Sequence, residues 1–333
     1  MTVRRPKYRM RIRTAAATIA AAVLSLCAAA AQAETLKLGH ALIATSHYGV
    51  GTAVFASEVD KRSGGRLKIQ EFPASALGGE REMIEAVQLG TLDLVLTSTG
   101  PVGNFVPETL ITDIPFLFTD YEHARRTLDG PIGQEILAKC ESRNLVCLNW
   151  WENGFRHITN NKHAVRTPDD LKGLKLRTME NPVHMTAFRA MGALPTPMAF
   201  PELYGALQQG TVDGQENPMP VILSSRFAQV QKYLSLTGHV YSPALLIMSR
   251  SVYDKLGKDD QAIVREAARL GAAANRQKVQ ADETRGVEAV RSAGMQVVTD
   301  IDRRSFQQIL QPAYAEYAKR FGQANIDRLR NAR

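Results

Sequence analysis

Strand-like and helix-like segments alternate along the first third of the chain, and that alternation leaves few folds open. Leu36-Lys37-Leu38-Gly39 has the two-residue period of a strand, and Tyr48 to Val59 repeats apolar residues at helical spacing. Leu67 to Phe72 returns to the strand pattern. Beyond Gly78-Gly79, Met83, Ile84, Val87 and Leu89 fall at helical spacing, and Leu92 to Leu96 is a nearly unbroken apolar run. Such a run fits a strand covered on both faces. The β-α-β-α-β order predicts a parallel sheet with helices packed on it.

The same logic resumes later. After Pro101, Pro107 and Pro115, helices are expected at about 121–128 and 132–142, then consecutive strands at Val146–Trp151 and Arg156–Thr159. Thr167-Pro168 starts a further helix as N-cap and first-turn proline. Leu174 to Arg177, Thr196 to Met198 and Val212 to Gly214 read as strands, separated by helices at 181–191 and 201–209. Beyond Ser242-Pro243 comes a strand at Ala244–Met248, then a helical run from Lys258 to about Ala293 without proline, long enough to brace two lobes. A strand at Met295–Val298 and helices from Arg304 to Ile326 complete the pattern. No repeat or floppy linker divides the chain, so lobes would be joined by crossing strands. The expected division is lobe I at 34–156 with about 241–275, and lobe II at 157–240 with about 276–333.

Residues 1–33 read as an export signal. Arg4, Arg5, Lys7, Arg9, Arg11 and Arg13 precede an Ala-rich apolar run from about Ala15 to Ala31, and Ala31-Gln32-Ala33 has the small-x-small form of a cleavage site. The run is too short and too weakly apolar for the ~20 residues of a spanning helix. Leu26 spoils a lipoprotein box before Cys27, and Arg4-Arg5 lacks the rest of a twin-arginine signal. Sec export to the periplasm with cleavage after Ala33 is the expectation. The chain has 41 basic and 33 acidic residues, and six of the basic ones lie in this segment. The mature protein is therefore close to neutral, and no basic-aromatic cluster points to nucleic acid. Cys140 and Cys147 fit a disulfide in an oxidising compartment, and equally two buried thiols on neighbouring elements.

No nucleophile elbow, phosphate-binding glycine loop or zinc motif is present, and the seven histidines are scattered. Neither a cofactor nor a metal is expected, and a monomer is the default. Charged residues where burial is expected carry the chemistry instead. Arg177 closes the strand run Leu174-Lys175-Leu176-Arg177, and ligands of open α/β sheets bind outside strand carboxyl ends. A guanidinium there is a planar fork matched to a carboxylate; the alternative is a surface arginine at a strand end. Arg156 follows Trp150-Trp151-Glu152-Asn153-Gly154-Phe155, which reads as an apolar, hydrogen-bonding wall or as core tryptophans beside a solvated arginine. Asn217 sits at another strand end or serves the turn before Pro218. Glu80 lies in a first helical turn, where the dipole favours an acid anyway.

Gly39-His40, Leu77-Gly78-Gly79-Glu80-Arg81-Glu82-Met83, Asp113-Ile114-Pro115-Phe116-Leu117-Phe118, Trp151-Glu152-Asn153-Gly154-Phe155-Arg156, Asp170-Leu171-Lys172-Gly173-Leu174-Lys175-Leu176-Arg177 and Asp213-Gly214-Gln215-Glu216-Asn217-Pro218 occur in one register. Together they resemble the DctP family, the substrate-binding proteins of TRAP transporters. The resemblance implies an α/β, two-lobed periplasmic binding protein of type II-like form, with crossing hinge strands and a long bracing helix. It implies that Arg177 forms a bidentate salt bridge with the ligand carboxylate, that Arg156 assists, and that Asn217 contacts the same end. Phe200 and Trp151 match cleft-lining positions, and His40, His47 and Glu80 fall in segments facing the far end. The implied partners are a small organic acid anion and the membrane subunits of a transporter.

Glu80 would repel a second carboxylate and suits hydroxyl groups. A sugar acid (a hexuronate, aldonate or keto-sugar acid) is the first expectation, a hydroxy- or keto-monocarboxylate the second and a C4-dicarboxylate the third. A periplasmic lyase or hydrolase on the same fold, with Glu80 and a histidine as acid and base, is the rival class.

Overall fold

Two strands far longer than the common five or six residues run through the middle of the molecule: β4 (Leu145–Asn160) and β8 (Tyr233–Ser249), with 16 and 17 residues. The computed structural model describes residues 1–2 and 33–332. The export segment therefore lies outside the described residues except at its two ends. Shorter strands flank the long pair: β1 (Glu34–His40), β2 (Leu67–Phe72) and β3 (Leu94–Ser98) on one side, β5 (Lys175–Thr178), β6 (Leu194–Pro197) and β7 (Gly214–Pro218) on the other. The order is β2-β1-β3-β8-β4-β7-β5-β6, with β9 (Gln296–Val298) paired to β8.

β1 and β3 are parallel, as are β5 with β6 and β5 with β7. The centre is antiparallel, because β8 pairs with both β3 and β4, and β4 with β7. The alternation therefore predicted the outer strands, whereas the sheet as a whole is mixed. Val146–Trp151 and Arg156–Thr159 are one strand. The intervening Asn153-Gly154 forms no hairpin turn: Gly154 adopts φ 118° at a register shift between Glu152 and Gly154, facing Pro243 and Ser242 of β8. A bulge there accommodates both the left-handed glycine and a strand proline that cannot donate to the ladder. Asn275 of the long helix Lys258–Ser292 makes good the interrupted pairing. Its Oδ1 accepts from Glu152 N at 2.9 Å, and its Nδ2 donates to Glu152 O and to His47 O.

Side chains alternate across this sheet with the strand period. Val95, Leu145, Cys147, Trp150, Leu245 and Ile247 enter one apolar core, while Leu94, Leu96, Val146, Leu148, Trp151, Leu246 and Met248 enter a second. The cores are thus the two faces of one sheet. On the second face the helix His47–Ser63 meets the long helix at Gly51 and Gly271, both pressed on Trp151; a Cβ at either glycine would collide with the indole. Cys140 and Cys147 form a disulfide between a short 3-10 turn and β4, which settles the choice left open by their spacing. Among the described residues no helix is long and apolar enough to cross a membrane, and no group of three metal-ligating side chains occurs.

Candidate functional site

The carboxyl ends of four strands converge. Ala41 and Leu42 follow β1, Ser98 ends β3, Met179 follows β5 and Asn217 stands next to last in β7. With Tyr48, Glu80, Asn153, Arg177, Phe200 and Val221 they line a small, partly open cavity. A second small cavity shares Glu80, Arg177, Met179 and Phe200 and continues past Arg81, Glu82 and Glu180.

Arg177 is the dominant charge. It is only 1% exposed, carried inward because β5 is covered on both faces. Nε and Nη2 both donate to Met198 O, at 3.0 and 2.6 Å, while Nη1 has no partner among the described residues. The Phe200 ring centroid lies 5.9 Å from Cζ, at the outer limit of a cation–π contact. Burial lowers the guanidinium pKa to about 10, which still leaves it charged at neutral pH. A buried, incompletely paired cation is unfavourable until an anion joins it, so the cavity is poised for a carboxylate.

Asn217 stands beside it, held from behind. Its Oδ1 accepts from Arg156 Nη2 at 3.1 Å, and its Nδ2 donates to Gln215 Oε1. Arg156 is 1% exposed and heavily engaged: Nε and Nη2 bind the Glu216 carboxylate, Nη2 also reaches Glu216 O, and Nη1 donates to Ser242 Oγ at 3.3 Å. Burial works to raise Glu216, but Arg156 and then His184 and His239 outweigh it and hold the carboxyl well below its usual range. Arg156 does not line the cavity; it braces Asn217.

Glu80 opens the helix Glu80–Leu89 behind Gly79. One carboxylate oxygen accepts from Thr97 Oγ1 at 2.8 Å and Ser98 N at 3.0 Å, and Oε2 has no hydrogen-bond partner among the described residues. Tyr48 presents a buried hydroxyl that makes no well-formed hydrogen bond among the described residues, with Ser98 and Asn153 near enough to act on it. Burial first, and the Glu80 charge second, push its phenol well up, so it stays neutral. Asn153 Nδ2 donates to Ser98 Oγ at 3.0 Å.

Besides Arg156, three residues of the expected set, His47, His40 and Trp151, do not line either of these cavities. His47 lies one shell back, its Nε2 3.2 Å from Asn153 Oδ1, and burial lowers its pKa to about 4. A neutral His47 thus orients the Asn153 amide that faces the cavity. His40 pairs with Glu71 at 2.8 Å. Trp151 fills the core under the two glycines instead of forming a cleft wall. Conversely, Tyr48, Ser98, Asn153 and Met179 were not singled out. The strand-end rule that pointed to Arg177 and Asn217, applied to β3 and β5 as well, finds Ser98 and Met179.

Burial of His157 is expected to make its contribution to stability acid-sensitive. His157 accepts from Gly238 N through Nδ1 at 3.1 Å. Burial, with His239, Arg303 and Arg156 adding to it, lowers its pKa to about 3. The unfolded chain then binds the proton first, so stability falls as pH drops from about 6.5 towards 3, by on the order of 4 kcal/mol for this group. Glu283 opposes it: burial raises its carboxyl to about 7, so acidification relieves strain there. His157→Asn is expected to flatten the loss of melting temperature between pH 6 and 4; an unchanged slope counts against His157 as the source.

The DctP family model, described as bacterial extracellular solute-binding protein, family 7, matches residues 38–320. A TRAP periplasmic solute-binding protein from Polaromonas sp. JS666, bound to D-erythronate, is 58% identical, with a TM-score of 0.89 over 90% of this chain and 98% of its own. One from Bordetella bronchispeptica, with density assigned to pantoate, is 53% identical at the same TM-score over 90% and 99% of the two chains. The 2,3-diketo-L-gulonate-binding periplasmic protein YiaO of Escherichia coli K12 is 37% identical over 84% of this chain and 85% of its own.

Proposed function

The chain belongs to the bacterial extracellular solute-binding proteins of family 7, the two-lobed binding proteins of TRAP transporters, and from that premise we propose that it captures a sugar acid in the periplasm and delivers it to the transporter's membrane subunits. Members of this family bind small acids for transport. The observation that carries the reading is the buried Arg177, whose Nη1 lacks a partner among the described residues beside a cavity at converging strand ends. In this proposal the carboxylate meets Arg177 and Asn217, Arg156 keeps Asn217 in place, and Phe200 closes one wall. Glu80 takes hydroxyl groups and disfavours a second carboxylate. His47 acts through Asn153, while His40 and Trp151 support the walls from the core. The lobes are taken as 34–156 with 241–275 and 157–240 with 276–333, closing on the acid by hinge motion. Export involves cleavage after Ala33, and the mature protein works as a monomer.

A thermal-shift panel tests this. A ligand at a hundred times its Kd adds about 2.7 kcal/mol, a rise of several degrees. Aldonates and hexuronates as a class are expected to stabilise the protein more than C4-dicarboxylates. Stabilisation by dicarboxylates alone would remove the Glu80 argument.

A further inference from the structure

Resting on the reading that two lobes close over an acid, we infer that Gly100 is the seat on which the lobes meet, and that the side chain it lacks sets how far the cleft shuts. Strand pairing does not bring its neighbours to it. Gly100 lies in the short helix Thr99–Val102 that follows β3, and Met179 to Asn181 follow β5. Strands β8, β4 and β7 stand between β3 and β5, a separation of about 19 Å at ~4.8 Å per strand. The two segments nevertheless touch. A Cβ at Gly100 would lie 3.0 Å from Met179 Cε and 3.3 Å from both Cβ and Nδ2 of Asn181. Gly100 is not among the residues of positive φ, so its backbone does not demand a glycine; the close approach does.

Hydrogen bonds cross at the same place. Asn104 Nδ2 donates to Glu180 O at 3.0 Å, and Asn181 Nδ2 donates to Asp113 Oδ2 at 2.8 Å. Asp113 Oδ1 in turn accepts from Thr99 Oγ1 at 2.6 Å. With the lobes divided as proposed, Gly100, Asn104 and Asp113 belong to one, and Glu180 and Asn181 to the other. None of Gly100, Asn104, Asp113 and Asn181 lines either cavity. Ser98 and Met179, at the wall of the first cavity, are within two residues of the junction. The junction thus contributes to affinity without reading the ligand. Where only the closed form holds the acid, the apparent Kd rises as the closed fraction falls. Bulk at position 100 props the lobes apart and weakens every acid by the same factor, whereas loss of a ligand contact discriminates between acids.

Two experiments on the purified protein test the inference. Gly100→Cys with Asn181→Cys sets two Cβ atoms near the spacing that a disulfide bridges. Without any ligand, the cross-linked variant is expected to have a smaller radius of gyration by small-angle X-ray scattering than the Gly100→Cys single variant, with the bond confirmed by mass spectrometry. Failure of the bond to form means that the segments do not meet. An unchanged radius once it has formed means that they never part. Either result overturns the seat. Calorimetry then compares wild type and Gly100→Leu with D-erythronate, D-gluconate and D-galacturonate. The variant is expected to weaken each acid that the wild type binds by one common factor of about tenfold, with a ligand-free melting temperature near that of the wild type. A melting temperature that falls in step with affinity, or losses that differ from acid to acid, also overturns it. If the wild type binds none of the three, acid capture fails as a reading, and the scattering result still decides the seat.

Discussion

Replacing Arg177 by alanine is expected to weaken acid binding by about 2–5 kcal/mol, the usual cost of truncating one partner of a buried charge pair. The geometry makes lysine a poor substitute as well. Nε and Nη2 are held on Met198 O, and the Nη1 edge is left for the ligand. One ammonium nitrogen on a flexible stem cannot hold that carbonyl and present a fork to a carboxylate. Calorimetry on Arg177→Ala and Arg177→Lys checks this, with circular dichroism to confirm folding. Near-native affinity in either variant would refute the assignment of Arg177 as the carboxylate anchor.

The second large effect is on stability. Glu216→Gln keeps the shape of the side chain but strips the buried Arg156 guanidinium of its anion. Breaking one side of a buried pair costs about 3–5 kcal/mol. Asn217 should shift as well, because Arg156 Nη2 holds its Oδ1, so acid binding weakens with stability. Replacing both charges, as Arg156→Met with Glu216→Leu, is expected to recover much of the stability while leaving binding impaired, since no buried charge then remains to be desolvated. Urea denaturation read by fluorescence separates these cases. An unchanged midpoint in Glu216→Gln means that the pair contributes little.

The elements that the sequence made legible are those with a strong local period. β1, β2 and the helices at 47–63, 80–89 and 258–292 stand close to where the apolar spacing puts them. Long-range pairing was not legible. Asn153-Gly154 has the composition of a turn, and only the opposing Ser242-Pro243 stretch shows that the chain runs straight on as a bulged strand. The same gap explains the site residues. Arg177 and Asn217 could be placed from strand ends alone. Trp150 and Trp151 are neighbours on a strand and must point to opposite faces, but nothing local says which face meets a cavity, and Trp151 belongs to the core. Tyr48 looked like one more apolar helix residue; its hydroxyl gains meaning only once Glu80 and Ser98 arrive from distant segments.

The carboxamide of Asn275 fastens the long helix to the kink in β4 and to the start of the helix at His47. The crossing strands are therefore not a bare pair of ribbons free to flex. The helix so fastened has 35 residues, and His47, held by the same carboxamide, bonds the amide of Asn153 at the cavity wall. A continuous chain of hydrogen bonds thus runs from the long helix at Asn275 through His47 to the amide of Asn153 at the pocket wall.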